Sequence, residues 1–250
     1  MEIIPNDSSL FRSSVEALKE FLPQAQLHIS GAGIKIYGMD VSHVGYVDYF
    51  LAAADCAVLT VSAPTNIGIN MAVLARTLNA VGAGDKVTLS TKKDKFVISY
   101  ENAKLGKKAV YEIATLHIDE ESMEIPETTY AASVKAKTTD IVSVVKESVV
   151  FGDSLTLGLD ENGFHVTVVG DAGTVKQTLE NTDDRDMELT EDNVVVSYGA
   201  KYISQIMKGG APLSSVTQLE FDGTQPLRAS FRFGTASHFV AYLAPKITAE

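Results

Sequence analysis

The chain has 250 residues, of which 45% are hydrophobic and 21% are charged, so it can bury the core of one large domain or two ordinary ones. This composition excludes a disordered chain. The formal net charge of −11 argues against a protein that binds nucleic acid through a basic surface spread over the whole molecule.

The N-terminal stretch MEIIPNDSSLFRSS has neither a basic start nor an apolar run, so we expect no secretory signal. No apolar run in the sequence approaches the roughly 18 residues of a membrane-spanning helix. Cys56 is the only cysteine, which excludes a disulfide framework and fits a reducing compartment. It lies in DCAVLTV, where we expect a small buried side chain.

Four segments are predicted to be helices. SSLFRSSVEALKEFL (8–22) begins with a serine cap, and NMAVLARTLNAV (70–81) begins with Asn70 and stops at Gly82. YGAKYISQIMK (198–208) has helical apolar spacing and ends before a glycine pair. The fourth segment, TDIVSVVKESVV (139–150), is β-branched throughout, and propensity alone favours a strand there.

The intervening sequence reads as short strands, with hairpins predicted at 26–38, 86–100, 155–169 and 216–233. The order of helix, hairpin, strands, helix and hairpin occurs in 8–116 and again about 130 residues later. This repeat favours a helix at 139–150. It predicts two similar domains, 1–116 and 130–250, joined by the acidic, proline-containing linker 117–129.

Five blocks of this sequence, taken in order, resemble proliferating cell nuclear antigen, the eukaryotic DNA sliding clamp. They are MDVSHV (39–44), INMAVLARTLNAVGAGDKVTL (69–89), EIPE (124–127), APLSSV (211–216) and YLAPKI (242–247). The resemblance implies an α+β fold, with two similar domains of antiparallel sheets and two helices each. Three chains would close head to tail into a ring around duplex DNA.

The same resemblance implies a nuclear homotrimer that serves as processivity factor for DNA polymerase. It would also be a docking platform for the clamp loader and for other replication and repair proteins. The four helices would line the hole and present basic side chains to DNA, namely Arg12, Lys19, Arg76, Lys146, Lys201 and Lys208. The predicted helices carry six basic and four acidic residues, so they are positive within an acidic chain and would attract DNA weakly and without sequence preference.

Two departures from the family pattern concern function. Ser13, Asn79 and Ser143 stand where clamps often have further basic residues, so we expect weaker attraction for DNA. Glu161 aligns with the lysine that carries ubiquitin-type modification in many eukaryotic members. That form of signalling is therefore in doubt for this chain.

By resemblance, partner proteins would insert a short helical turn with aliphatic and aromatic anchors into an apolar pocket. The predicted pocket residues are Met39, His43, Val44, Met123, Ile125, Pro226, Tyr242, Leu243 and Ala244. For Met39 and Val44, a role in the core is an equally good interpretation. Subunits would pair through edge strands at about 107–116, with Tyr111, and about 173–180, with Val175.

Asp40, Ser42 and His43 are the residue types of a hydrolase triad, so a hydrolase is one alternative function. These three lie within four residues of an extended segment, where neighbouring side chains point to opposite faces, so they cannot form a catalytic relay locally. The sequence also lacks a glycine-rich phosphate loop and a cluster with metal-ligand spacing. We therefore expect no enzyme activity, no catalytic residue, no metal and no cofactor.

Two non-enzymatic alternatives share the clamp fold. One is a checkpoint-type subunit of a heterotrimer. The other is a viral or archaeal clamp, which if viral would act in a viral replication compartment. The YLAPKI tail and the compact length favour the replicative homotrimer.

Overall fold

The computed structural model describes residues 1–82, 84–102, 104–119, 128–171 and 173–246. Contacts divide the chain into two compact units. The first unit holds residues 1–41, 47–123 and 233–239, and the second holds 42–46, 124–232 and 240–250. Among the described residues, none of the helices has the length and apolar character needed to cross a membrane.

The first repeat contains two helices and nine strands in the part that the structure describes. They are β1 (Glu2–Pro5), α1 (Ser8–Lys19), β2 (Gln24–Ser30), β3 (Gly33–Met39), β4 (Gly45–Ala52), β5 (Cys56–Thr60), β6 (Thr65–Asn70), α2 (Met71–Leu78), β7 (Lys86–Lys92), β8 (Lys95–Asn102) and β9 (Lys107–Ala114). One antiparallel sheet has the order β5-β1-β7-β8-β9, and β6-β2-β3-β4 are neighbours in another. Strand β9 therefore lies at a sheet edge.

The second repeat has the same order of elements. They are β10 (Ala132–Lys137), α3 (Thr138–Ser148), β11 (Ser154–Asp160), β12 (Gly163–Gly170), β13 (Gly173–Leu179), β14 (Asp186–Leu189), β15 (Val194–Gly199), α4 (Ala200–Gly210), β16 (Val216–Phe221), β17 (Leu227–Phe233) and β18 (Ser237–Leu243). One sheet has the order β13-β12-β11-β15, and β14-β10-β16-β17-β18 are neighbours in another. Strand β13 is an edge strand like β9.

The helix starts follow local capping chemistry. The predicted serine cap of α1 is wrong, because Asp7 provides the cap: its carboxylate accepts from the backbone N–H groups of Ser9 and Leu10 at 2.8 and 3.1 Å. Asn70 caps α2 as predicted and accepts from the N–H of Val73 at 3.0 Å.

The β-branched segment of the second repeat is a helix, as the repeat predicts and propensity does not. Ile141, Val144 and Val145 of α3 are at most 6% exposed, so tertiary burial outweighs the intrinsic preference of these residues for strands. Within each unit the two helices pack against each other, α1 with α2 and α3 with α4.

The predicted end of α4 is wrong, because the helix continues through the glycine pair to Gly210. A Cβ atom on Gly210 would lie 2.2 Å from Cε1 of Phe231, a buried ring of β17. The glycine thus serves close packing of the helix on the sheet and does not mark a stop. The four predicted hairpins are confirmed, as β2–β3, β7–β8, β11–β12 and β16–β17.

A buried carboxylate fixes the turn between β17 and β18. Asp55, which is 8% exposed, accepts hydrogen bonds from the N–H groups of Thr235, Ala236 and Ser237 and from the Ser237 hydroxyl, at 2.6 to 3.1 Å. Gly234 has φ +58, and a Cβ atom there would lie 2.5 Å from the Asp55 carboxyl group. The turn therefore needs both the acid and the glycine.

Candidate functional sites

Four of the six predicted DNA-facing cations are exposed on the helices: Arg76 on α2, Lys146 on α3, and Lys201 and Lys208 on α4. Each lies on the side opposite a buried apolar stripe, such as Leu74 and Leu78 on α2. Both units therefore present cations on the outward faces of their helix pairs.

The other two predicted cations are engaged within the first unit. Arg12 is half-buried, and its Nη1 donates to the carbonyl of Val81 at 3.0 Å, just beyond the end of α2. The ammonium of Lys19 forms an ion pair with Glu16, one turn earlier on α1. These contacts lower the number of cations that the first unit offers freely to a phosphate backbone.

Two of the acidic helix residues are neutralised in the same way. Glu16 is paired with Lys19, and Asp140 accepts from Nη2 of Arg185 at 3.0 Å. Sequence reasoning did not single out Arg185, because it lies 45 residues from Asp140 and in a loop. Because Arg185 lies outside the helices, it makes the face of α3 more positive than a count of helix residues indicates, whereas the Glu16–Lys19 pair leaves the balance on α1 unchanged.

In the second unit, the C-terminal tail lies alongside segment 42–46. The N–H of Ala244 donates to the carbonyl of Val44 at 2.9 Å, and the N–H of Lys246 donates to the carbonyl of Ser197 at 2.7 Å. The rings of Tyr46 and Tyr242 meet edge to face, with centroids 6.1 Å apart. The structure thus brings together predicted residues that are about 200 positions apart in the sequence.

The pocket residues differ in what they offer a partner. His43 is exposed and has φ 55, in the left-handed region, while Val44, Tyr242 and Ala244 are half-buried. Leu243 is 1% exposed and faces the core, because side chains alternate along β18, so it supports the strand and offers no surface. Pro226, directly before β17, is exposed.

Three further pocket residues, Met39, Met123 and Ile125, are predicted from the sequence. Met39 is half-buried and is the last residue of β3, in the first unit. Met123 and Ile125 lie outside the described residues.

Sequence reasoning missed an ion pair beside Tyr242. Nε of Arg228 on β17 donates to Oε2 of Glu220 at 2.6 Å, and Nη2 donates to the other carboxylate oxygen. The guanidinium lies 5.2 Å from the ring centroid of Tyr130. The predicted hairpin at 216–233 was the available signal, because its register places Glu220 directly opposite Arg228.

The two predicted interface residues lie on the edge strands β9 and β13. Tyr111 is half-buried and stacks on Tyr100 with centroids 6.0 Å apart, and the neighbouring Val110 is 65% exposed. On β13, Val175 is half-buried. The side-chain amide of Gln177 donates to the Val144 carbonyl and the Ser148 hydroxyl, at 3.4 and 3.3 Å, and so ties this edge to α3.

Glu161 lies in the exposed turn between β11 and β12. Asp160, Glu191 and Asp192 border the same surface groove, so Glu161 lies among other carboxylates.

Two units of antiparallel sheets, each with a helix pair that exposes cations, define a DNA sliding clamp. The comparisons with known proteins agree. The chain belongs to the proliferating cell nuclear antigen family: the model of its N-terminal domain matches residues 1–123, and that of its C-terminal domain matches residues 124–246.

Similar proteins match nearly the whole length of the chain. Proliferating cell nuclear antigen 2 of Drosophila melanogaster is 26% identical over 241 residues, covering 95% of this chain and 94% of the relative. Proliferating cell nuclear antigen of Chaetomium thermophilum is 25% identical over 249 residues, covering 96% and 95%. The crystal structure of the protein from Entamoeba histolytica has a TM-score of 0.91 at 27% identity, with 98% of each chain covered.

The chain is therefore a DNA sliding clamp that acts as a processivity factor in DNA replication. The family consists of scaffold proteins without enzymatic chemistry. The matches do not favour the checkpoint-type, viral or archaeal alternatives.

Proposed function

We propose that three copies of this chain close into a ring, with β9 of one copy pairing with β13 of the next. Both are edge strands with unpaired backbone groups on one side, which favours the addition of a strand from another chain. Antiparallel pairing would bring Lys107 and Lys108, at the start of β9, close to Glu180, which follows β13. This charge match supports a head-to-tail contact, which closes into a ring when the rotation allows.

The ring would encircle duplex DNA and contact it through the helix faces. The observation that carries this proposal is the set of exposed cations on the helices of both units: Arg76, Lys146, Lys201 and Lys208. Phosphate contacts of this kind are independent of sequence and weaken as salt rises. Weak contacts suit a sliding ring, because closure around DNA provides the retention.

Partner proteins would dock where the tail runs beside segment 42–46. We assign the apolar contact to Val44, Tyr242 and Ala244, with His43 and Pro226 at the exposed margin. Polymerase, clamp loader and other replication and repair proteins would each insert a short helical turn with aliphatic and aromatic anchors. Met39, Met123 and Ile125 remain predicted members of this pocket.

The cellular setting and the domain limits belong to the same proposal. The clamp would act in the nucleus, where replication takes place, without catalysing a reaction. The division into domains 1–116 and 130–250, with 117–129 as connecting loop, stays a prediction from the sequence repeat.

The ring is tested by light scattering and by retention on DNA. At micromolar concentration, the particle should have about three times the mass of one 26.8-kDa chain. After loading by a clamp-loader ATPase, it should stay on circular DNA and leave once the DNA is cut. A monomer at this concentration, or equal retention on circular and linear DNA, would contradict the proposal.

The two surfaces are separated by reciprocal variants. Arg76→Ala with Lys208→Ala should reduce retention on DNA and leave anchor-peptide binding as in wild type. Tyr242→Ala should weaken peptide binding about tenfold or more, as expected for a pocket aromatic, and leave DNA retention as in wild type. If both variants lose the same function, the two-surface assignment is wrong.

A further inference from the structure

A polar row crosses the sheet beside the proposed peptide pocket, within the second unit. Glu220 on β16 pairs in register with Arg228 on β17, and β17 neighbours β18, which carries Tyr242. Tyr242 in turn meets Tyr46. Tyr242 is therefore flanked on one side by the Tyr46 ring and on the other by β17, the strand that carries Arg228.

Arg228 is held in place before any partner arrives. Its Nε and Nη2 atoms donate to the two oxygens of Glu220, and its Cζ atom lies 5.2 Å from the centroid of the Tyr130 ring. Its side chain still has 34% exposure, compared with 11% for Glu220. A guanidinium that is fixed in this way loses little side-chain entropy when it forms another hydrogen bond.

One nitrogen of the Arg228 guanidinium remains for a hydrogen bond with a partner. Nη1 takes no part in the Glu220 ion pair, so its N–H groups can donate to an acceptor at the rim. The charged group that contacts Arg228 is the Glu220 carboxylate, which the strand register places directly opposite it.

We propose that Arg228 makes this clamp select partner motifs that carry Asp or Glu next to their aromatic anchor. The inference rests on the proposed peptide pocket and names the chemistry that the pocket rim recognises. Because Glu220 neutralises Arg228 at long range, the selection acts through a direct charge-assisted hydrogen bond and not through a long-range field. The preference for Glu over Gln at the contacting position should be about three- to fivefold in Kd.

The test uses synthetic peptides of about twelve residues with anchors at i, i+3 and i+4 in a neutral polar frame. Each remaining position is changed in turn to Glu or to Gln, and Kd is measured by fluorescence anisotropy on the full-length clamp. The quantity compared is the ratio of the Gln to the Glu Kd at each position. Wild type should show a ratio above three at one position, or at two neighbouring positions, beside the aromatic anchors.

The variants separate the guanidinium from its charge partner. Arg228→Gln alone leaves the Glu220 carboxylate buried without its cation and can unfold the sheet. The double variant Arg228→Gln with Glu220→Gln keeps this site neutral and similar in shape, and its ratio should fall to about one. Arg232→Gln, an exposed change on the same strand, is the matched control and should keep the wild-type ratio.

Each outcome decides a point. If the neutral-frame peptide does not bind wild type, the proposed pocket fails, and this inference fails with it. If the peptide binds but the ratio is near one in wild type, or is equal in wild type and the double variant, Arg228 has no selective role and the pocket stands. If Arg228→Lys keeps the full ratio, any cationic donor suffices and the assignment to the fixed guanidinium is wrong.

Discussion

Replacing Asp55 with Asn should destabilise the clamp more than any surface substitution of the same type. In the wild type the carboxylate accepts four hydrogen bonds, three from consecutive N–H groups of Thr235, Ala236 and Ser237 and one from the Ser237 hydroxyl. An amide has one acceptor oxygen, and its NH₂ group would face donors that it cannot satisfy. Some of these buried N–H groups would then be left without an acceptor.

The magnitude follows from the pKa of Asp55. Burial alone would raise this pKa, but the hydrogen bonds from Ser237, Thr235 and Ala236 outweigh burial and lower it from 3.8 to about 2. Such a shift corresponds to about 2 kcal/mol of folding free energy for the ionised group. We therefore expect Asp55→Asn to lower the free energy of unfolding by about 2 to 3 kcal/mol at pH 7.

The sign of the pH dependence is fixed by the depressed pKa. The contribution of Asp55 is fully present above the unfolded-state pKa of 3.8 and is lost as the pH falls through about 2. The difference in unfolding free energy between wild type and Asp55→Asn should therefore be constant above about pH 5 and shrink toward pH 2.

Urea unfolding at fixed protein concentration measures this difference, because subunit association would otherwise change the apparent stability. Asp94→Asn is the matched control: Asp94 is exposed, so its replacement should change the free energy by less than about 0.5 kcal/mol. The reasoning is refuted if Asp55→Asn unfolds at the same urea concentration as Asp94→Asn, or if the difference does not change on acidification.

Three further predictions concern other parts of the molecule. The Arg76→Ala, Lys208→Ala double variant should reduce the slope of log affinity for DNA against log salt by about two per chain, measured by anisotropy; an unchanged slope would place these cations away from DNA. Tyr111→Ala should shift the ring toward monomers in light scattering at micromolar concentration, and an unchanged trimer mass would remove this residue from the interface. Burial, and then the Asp55 charge, raise the pKa of the Cys56 thiol to about 11. Cys56 should therefore react with iodoacetamide at pH 8 about a hundredfold more slowly than a free thiol. A free-thiol rate in the folded protein would contradict this.

The sequence predicts the order of elements well, because patterns that repeat carry more information than single propensities. Residues 138–148 illustrate this: their β-branched side chains favour a strand locally, but their place in the repeat requires a helix, and α3 is one. Boundaries are less predictable, since they depend on tertiary contacts. The Phe231 ring beneath α4 explains why a glycine stands inside the helix at position 210, and no local rule contains that contact.

The sequence predicts which residues form the peptide pocket, but not the contacts that these residues make. Family resemblance predicts Val44 and Ala244 in one pocket, and a backbone hydrogen bond joins these two residues. The alternation of β18 turns Leu243 inward, which follows once its neighbour Tyr242 is assigned to the outer face. The Arg228–Glu220 pair required the hairpin register, which depends on where the turn closes and not on composition.

The helix faces explain how an acidic chain can act on DNA. Net charge measures the long-range field, but the contact with DNA depends on which charges remain after local pairing. Asp140 is neutralised by Arg185, a cation from a loop that precedes β14, so α3 presents Lys146 with less opposition than its own sequence implies. On α1 the reverse holds. Lys19 is paired with Glu16, and Arg12 donates to the Val81 carbonyl, so α1 offers DNA fewer free cations than a count of basic residues suggests. The second unit should therefore supply more of the attraction for DNA than the first.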